Sequence, residues 1–193
     1  MRGRVIVIVG PSGAGKDSLI NHVAARLSGH PRFAVVRRVI TRHSDGATEV
    51  HDTMTPEAFA AEKAAGGFAV SWCAHGLHYG IPVEHRSFVD KGGVALCNGS
   101  RKALGAFRAA FADLTIVNVT ARPEILAARL NARGRESGDE ITARLARSTL
   151  AVHDDFDAVM IDNSDALEVA GEALVALIRG FLDRQSDGKR GTA

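Results

Sequence analysis

The sequence predicts an α/β protein in which a parallel sheet is flanked by helices. Two observations lead to this fold class. Short apolar runs of the kind found in buried strands alternate with helical segments along the chain, and this alternation is typical of a parallel sheet with helices on both faces. The first apolar run also leads directly into a glycine-rich turn and a helix, so the N-terminal unit has the same strand-to-helix order.

Each element follows from a local pattern. The run RVIVIV at Arg4 to Val9 is apolar and mostly β-branched, as expected of a strand buried on both faces. Leu19, Val23 and Leu27 then recur at near-helical spacing. Further strand candidates are Phe33 to Ile40, Gly93 to Cys97, Leu114 to Val119 and Ala158 to Ile161. Further helix candidates are Lys102 to Phe111, Pro123 to Ala132, Glu140 to Ala151 and Ala166 to Leu182.

Two stretches interrupt the alternation and predict additions to a single domain that spans residues 1–182. Residues 41–86 are rich in histidine, glycine and aromatic residues, which indicates an inserted lobe for the substrate. Residues 133–139 form a charged loop between two helix candidates, bracketed by Arg129, Arg133, Arg135, Arg144 and Arg147. Mobile arginines can close over a migrating phosphoryl group, so a lid is predicted; a solvated loop with surface charges is the alternative. Residues 183–193 are polar and are expected to form a flexible tail.

Composition narrows the classes of partner. A chain of 193 residues with 46% hydrophobic residues can bury one sizeable core. Its net charge of +2 is too small to indicate nucleic acid, and the N-terminal apolar run is too short for a membrane span or a signal peptide. Two cysteines cannot build a disulfide framework. We therefore expect a cytoplasmic protein with small-molecule partners; the sequence does not determine its oligomeric state.

The glycine-rich turn matches a phosphate-binding loop at all but one position. The pattern G-x-x-x-x-G-K-[ST] has a hydroxyl after its lysine to hold Mg²⁺, and here that position is an aspartate. Backbone N–H groups of residues 12–17, the lysine and the helix N-terminus favour bound phosphate. A nucleotide is therefore predicted to bind the segment Gly10, Pro11, Ser12, Gly13, Ala14, Gly15, Lys16, Asp17 and Ser18. An ordinary glycine-rich turn is the alternative, and the flanking strand and helix favour the nucleotide site.

Asp17 is the predicted ligand of the magnesium ion. Ser18 cannot simply replace it, because one helical step turns a side chain by about 100° away from the phosphates. A carboxylate is a suitable hard ligand for Mg²⁺, either directly or through water. The loop is therefore interpreted as an adapted site rather than a damaged one.

Together with later motifs, the loop resembles guanylate kinase. The matching motifs are GPSGAGK, Thr41-Arg42, Phe68…Trp72…Gly76…Tyr79-Gly80 and Arg133-Gly134…Glu136…Arg144-Leu145. The resemblance implies a P-loop NTPase core, an inserted acceptor-binding lobe and an arginine-bearing lid. Yet the acidic residue expected two places after the phenylalanine is Val70, and CNGSR stands in place of an acidic pair. Each unpaired donor of guanine would cost roughly 1–3 kcal/mol, which argues against guanosine monophosphate as the acceptor.

With these departures, the chain resembles a narrower group, the ribose 1,5-bisphosphate phosphokinases of phosphonate breakdown. The motifs that carry the resemblance run from about residue 4 to residue 165: GKDS, Ile40-Thr-Arg42, Glu49-x-His51, Ser71-Trp72-x-Ala74-His75-Gly76-Leu77-x-Tyr79-Gly80-Ile81, Asn98-Gly-Ser-Arg101 and Arg133-Gly-Arg-Glu136. The resemblance implies that ATP and ribose 1,5-bisphosphate are converted to 5-phosphoribosyl 1-diphosphate (PRPP). A nucleoside monophosphate kinase that reads its base by other residues, and a non-catalytic guanylate kinase-like binding module, remain as alternatives.

The implied acceptor is a phosphate monoester, which is already anionic at neutral pH because its second pKa lies near 6. Such an acceptor needs positive charge rather than a general base, because two anions must approach each other. The residues predicted to be catalytic are Lys16, Arg133 and Arg144. Arg42 and Arg101 are predicted to neutralise the acceptor, with a hydrogen bond from Tyr79. Glu49, His51 and Asn98 are candidates for the ribose hydroxyls or for ordering those arginines.

Overall fold

The computed structural model of the chain describes residues 3–42, 51–132 and 156–187. The strands are β1 (Arg4–Val9), β2 (Phe33–Val35), β3 (Val39–Ile40), β4 (Asp52–Thr53), β5 (Phe68–Ala74), β6 (Leu77–Pro82), β7 (Val94–Asn98), β8 (Leu114–Thr120) and β9 (Ala158–Asp162). The helices are α1 (Lys16–Arg26), α2 (Pro56–Ala64), α3 (Val83–Asp90), α4 (Leu104–Ala110), α5 (Pro123–Ala132) and α6 (Leu167–Asp187). A 3-10 turn, Arg101–Ala103, precedes α4.

The main sheet is parallel and has the strand order β2-β7-β1-β8-β9. Its central strand, β1, is buried on both faces, which explains the continuous apolar run in the sequence. Val5, Val7 and Val9 face one core cluster, whereas Ile6 and Ile8 face the other, and all five are 0% exposed. The predicted parallel sheet is therefore confirmed.

Helices cover both faces of this sheet. On the side of Ile6 and Ile8, α1 and α6 pack together through Leu19, Val23 and Leu174. On the opposite side the core includes Phe107 of α4 and Val89 of α3. The sheet is thus the middle layer of three, and the carboxyl ends of its strands form one edge, where ligands bind in folds of this class.

A second sheet has the order β4-β3-β6-β5 and lies within residues 39–82. Strands β5 and β6 form an antiparallel hairpin whose turn is His75 and Gly76, both with positive φ (52° and 74°). Trp72 and Tyr79 face each other across this hairpin with their rings stacked 5.2 Å apart. The sheet also contributes Val70 to the core beside α4.

The prediction of one strand from Phe33 to Ile40 is wrong, because the segment is divided between the two sheets. Phe33–Val35 pairs with β7 in the main sheet, and Val39–Ile40 pairs with β4 and β6 in the second sheet. Residues 36–38 carry the chain from one sheet to the other.

Two arginines in this connection contact the second sheet. Arg37 makes a 2.6 Å ion pair with Asp52 of β4. The guanidinium of Arg38 lies 5.9 Å and 5.2 Å from the ring centres of Trp72 and Tyr79. Asp52, Trp72 and Tyr79 are all distant in sequence from these arginines, so the local apolar pattern could not indicate that the strand is interrupted.

The other predicted elements agree with the structure to within a few residues. The strand expected at Gly93 to Cys97 is β7, shifted by one position, and the helix expected at Lys102 to Phe111 begins with the 3-10 turn. Helix α6 continues through Asp187, so residues 183–187 are helical and the tail predicted from Asp183 starts too early. The predicted helix Glu140 to Ala151 and lid 133–139 lie outside the described residues. No helix in the described part of the chain combines the length and hydropathy needed to cross a bilayer.

Candidate active site

The glycine-rich loop joins the carboxyl end of β1 to the N-terminus of α1, and two of its glycines are required by close neighbours. A Cβ atom on Gly10 would lie 2.2 Å from the carbonyl oxygen of Val119 on the adjacent strand. Gly15, which precedes α1 with φ of 84°, has no room for a Cβ because the amide nitrogen of Asn163 would be 2.4 Å away. A side chain at Gly10 would meet backbone, and one at Gly15 would have to displace Asn163 and adopt a strained positive φ, so the loop follows the backbone path that its glycines permit.

Asn163, which follows the edge strand β9, forms a hydrogen bond with the loop. Its side-chain amide donates to the carbonyl oxygen of Ala14 at 2.8 Å, and its backbone N–H donates to Thr120 at 2.8 Å. The residue follows β9 and is 2% exposed. Sequence reasoning missed it; the available signal was a polar residue at the carboxyl end of a parallel strand, where sites of this fold class form.

Lys16 folds over the first turn of the loop. Its ammonium group donates hydrogen bonds to the carbonyl oxygens of Gly10 and Pro11, both at 2.9 Å. Because Lys16 is also the first residue of α1, its charge adds to the positive end of the helix dipole. The loop therefore presents positive potential where the pattern expects phosphate groups.

Asp17 lies in the first turn of α1 and contacts Asn98. The amide nitrogen of Asn98 donates to a carboxylate oxygen of Asp17 at 2.6 Å. Asn98 is the last residue of β7 and is 8% exposed. The sequence associates Asn98 with ribose hydroxyls or with arginines, whereas the structure places its amide against the carboxylate of the loop.

This environment suits a metal ion that takes most of its ligands from a bound phosphate. Among the described residues no group of three or more histidine, cysteine, aspartate or glutamate side chains could hold a metal alone. Mg²⁺ is typically bound by one or two carboxylates together with substrate phosphates and water. One carboxylate at the end of a phosphate-binding loop meets that description.

Helix α5 covers the loop from the other side. Leu130 comes within 3.3 Å of the Cβ position of Gly13, so the helix packs directly against the loop backbone. Arg129 extends from the same helix, and one of its terminal nitrogens would lie 3.8 Å from a Cβ on Gly15. That nitrogen is buried and finds no hydrogen-bond partner within residues 3–42, 51–132 and 156–187. A phosphate oxygen at the loop is a suitable partner for it. Arg133 and Arg144 lie outside the described residues.

The acceptor-binding candidates Arg42 and His51 are brought together beside the second sheet. A terminal nitrogen of Arg42 lies 3.4 Å from Nε2 of His51, which is 8% exposed. The Nε atom of Arg42 is buried and has no hydrogen-bond partner in the part of the chain that the structure describes. Tyr79 pairs with Ile40, two residues before Arg42, so it belongs to the same region. Glu49 lies outside the described residues.

Arg101 follows β7 and begins the 3-10 turn, three residues after Asn98. Its partial burial lowers the pKa of the guanidinium below its ordinary range, and an arginine remains cationic at neutral pH despite such a shift. Arg101 thus brings a partly buried positive charge to the carboxyl end of β7, the edge of the sheet where ligands bind in this fold class.

Arg38 is a buried cation that sequence reasoning missed. It is 7% exposed and lies over the stacked rings of Trp72 and Tyr79, an arrangement that stabilises a guanidinium through the ring faces. The predicted unbroken strand from Phe33 to Ile40 would place Arg38 in the main sheet, away from Trp72 and Tyr79. A contact with the second sheet was therefore not expected.

No protein-family model matches the chain. Relatives named ribose 1,5-bisphosphate phosphokinase PhnN are similar over most of its length: the protein of Agrobacterium fabrum is 52% identical over 175 residues, covering 91% of this chain and 96% of that one. The proteins of Rhizobium etli and Burkholderia mallei are 49% and 44% identical, covering 94% and 92% of this chain and 92% and 96% of their own.

A solved structure supports the fold independently. The crystal structure of guanylate kinase from Anaplasma phagocytophilum matches with a TM-score of 0.67 at 18% identity, covering 93% of this chain and 86% of that one. At this identity the match concerns the fold alone. The predicted guanylate kinase-like P-loop architecture is confirmed.

Proposed function

The chain belongs to the ribose 1,5-bisphosphate phosphokinase PhnN family, and we propose that it transfers the γ-phosphoryl group of ATP to ribose 1,5-bisphosphate, yielding PRPP and ADP. The observation that carries this proposal is the identity of 52% to a relative of that name across nearly the whole of both chains. The protein is accordingly a kinase.

The donor side of the reaction falls to the loop at residues 10–18. Its backbone N–H groups and Lys16 would bind the ATP phosphates, and Asp17 would hold Mg²⁺. When bound, the metal ion neutralises charge on the β- and γ-phosphates. The described contacts that support this assignment are the 2.9 Å hydrogen bonds of Lys16 over the loop and the anchoring of Ala14 by Asn163.

The acceptor side needs cations rather than a base. The 1-phosphate of the sugar is already an anion, so the attacking oxygen carries no proton to remove. Arg42 and Arg101 would offset the repulsion between this anion and the ATP phosphates, and Tyr79 would donate a hydrogen bond to a phosphate oxygen. The buried Nε of Arg42 supports this role, because a buried donor without a protein partner is one that a ligand oxygen can satisfy.

The remaining positive charge would come from arginines that follow α5 in the sequence. Arg133 and Arg144 would close over the transferring group and stabilise its charge in the transition state. Arg129, whose buried nitrogen lies near Gly15, would add positive charge at the loop itself.

Guanosine monophosphate is not the favoured acceptor. Val70 occupies the position where guanylate kinases carry an acidic residue, and it is 3% exposed within the core. An apolar, buried side chain at this place offers no acceptor to the donors of the base.

The deciding experiment measures ADP release with ribose 1,5-bisphosphate, guanosine monophosphate and ribose 5-phosphate as separate acceptors. We expect turnover with ribose 1,5-bisphosphate and a diphosphate product visible by phosphorus NMR. Faster turnover with guanosine monophosphate would instead identify a nucleoside monophosphate kinase. Binding of ATP without turnover on any acceptor would identify a non-catalytic module.

A further inference from the structure

Two departures from the usual magnesium site of P-loop enzymes occur close together, one in the first turn of α1 and one at the end of β7. In such enzymes a hydroxyl after the loop lysine and a carboxylate from a separate strand-end motif hold the ion. Here the first position is Asp17, a carboxylate, and a nearby strand end, Asn98, carries an amide. Strand β7 pairs directly with β1, with Asn98 opposite Ile8 just before the loop, so the two departures lie in one place.

The two side chains are in direct contact. The amide nitrogen of Asn98 donates to the Asp17 carboxylate at 2.6 Å. A further backbone hydrogen bond, from Gly99 to the carbonyl oxygen of Ile8 at 2.8 Å, holds the end of β7 against the strand that leads into the loop. Asn98 is 8% exposed, so its amide is confined beside the carboxylate.

We propose that the residue types at positions 17 and 98 are interchanged relative to the usual site, which we call the exchange. The carboxylate for Mg²⁺ is on the loop helix, as Asp17, instead of at the strand end, and Asn98 is the positioning residue that orients it. This inference rests on the proposed function. The pair keeps one negative charge and one neutral polar group, with their places interchanged. Asn98 has a donor to offer the carboxylate, which an aspartate at the same position would lack.

The exchange predicts that neither position can return to the usual residue alone. Asp17→Ser leaves the pair without a carboxylate, so we expect the Mg²⁺ concentration for half-maximal binding to rise about tenfold, as one lost contact of roughly 1.4 kcal/mol would give. Asn98→Asp places two carboxylates in contact, so the protein without metal should melt at a lower temperature and regain more stability from Mg²⁺. The double variant restores the usual arrangement.

The test compares both single variants with Asp17→Ser/Asn98→Asp. Metal affinity is measured with Mn²⁺ by electron paramagnetic resonance and with Mg²⁺ by competition, using a non-hydrolysable ATP analogue and no acceptor. Melting temperatures are recorded with and without Mg²⁺. We expect the double variant to recover metal affinity to within about threefold of the original protein, or roughly 0.7 kcal/mol.

A matched control separates the exchange from the mere addition of a carboxylate. Asn118 is also a buried asparagine, 6% exposed, on the strand at the other side of β1. Asp17→Ser/Asn118→Asp should show no recovery. Equal recovery with Asn118→Asp, or a double Asp17/Asn98 variant whose losses simply add or which does not fold, would overturn the proposal.

The same data distinguish this inference from the proposed function. Metal binding is measured without ribose 1,5-bisphosphate, so recovery in the double variant supports the exchange even if the protein fails to phosphorylate that sugar. Turnover with ribose 1,5-bisphosphate, without recovery of metal affinity in the double variant, would support the kinase assignment and contradict the proposed exchange.

Discussion

At the scale of single residues, Lys16 provides the clearest test of the loop. We expect Lys16→Ala to lower kcat by at least about 10²–10³, the loss seen when one preorganised donor to a transition-state charge is removed. The fold should persist, because the side chain is only partly buried and its hydrogen bonds go to loop carbonyls. Circular dichroism and kcat measure the two effects. Lys91→Ala, an exposed lysine after α3, is the control; a near-native kcat in Lys16→Ala would contradict the assignment.

Arg42 is the residue that tests the acceptor side. We expect Arg42→Ala to raise KM for ribose 1,5-bisphosphate by roughly 10–100-fold, as the loss of a charge-assisted hydrogen bond of about 1.5–3 kcal/mol would give, while KM for ATP changes little. Steady-state kinetics with each substrate varied in turn provide the measurement.

Arg37 is the matched control for Arg42, because it belongs to the same segment but pairs with Asp52 near the surface. Arg37→Ala should leave both KM values close to their original level. An equal rise of KM for ATP and for the sugar in Arg42→Ala would mean that Arg42 supports the fold rather than the acceptor.

At the scale of elements, β9 acts on the loop through Asn163. Asn163→Ala removes a buried hydrogen bond to Ala14 and should lower the free energy of unfolding by about 1–3 kcal/mol. Because the carbonyl it releases belongs to the loop, KM for ATP should also rise. Chemical denaturation and ATP kinetics test the two parts.

The control for Asn163 is Asp165→Ala, since Asp165 is exposed and its described ion pair is with Arg122 at the surface. We expect this variant to change neither stability nor KM by much. If Asn163→Ala loses stability while KM for ATP is unchanged, Asn163 stabilises the end of β9 and has no effect on the loop.

At the scale of the whole molecule, α3 links stability to pH through His85. Burial of the imidazole lowers the pKa of His85 below its ordinary 6.5, and the charges of Glu84 and Asp52 oppose the shift without cancelling it. The unfolded chain therefore binds a proton at a higher pH than the folded one. The contribution of His85 to the free energy of unfolding is therefore complete above about pH 6.5, the pKa in the unfolded chain. It is lost as the pH falls from there through the lowered pKa of the folded protein.

We expect the melting temperature to fall between pH 7.5 and pH 5.5, and to fall less in His85→Gln, which has no titrating group at this position. Thermal unfolding at the two pH values tests this. His75→Asn is the control, because His75 is exposed at the hairpin tip and asparagine tolerates its positive φ. An equal pH dependence in His85→Gln and the original protein would exclude His85 as the source.

The sequence was informative wherever a local pattern determines the structure. Strand β1 was predictable because burial on both faces requires a continuous apolar run, and the loop was predictable because its spacing is fixed by phosphate geometry. The division of residues 33–40 between two sheets was not, since it consists of pairings with strands distant in the chain, β7 for Phe33–Val35 and β6 for Val39–Ile40. The contact between Asn98 and Asp17 and the support from Asn163 likewise join residues far apart in the chain.

The hydrogen bond from Asn163 to the loop also joins two parts of the chain that are synthesised far apart in time. The complete loop motif has been translated once residue 18 is added, yet its anchor comes 145 residues later. At about 5–20 residues per second, a ribosome needs roughly 7–30 s to reach it. During the first part of this interval β7 and β8, the strands that flank β1, have not yet been translated. A nascent chain therefore carries the complete loop motif before Asn163, the donor to Ala14, has been added.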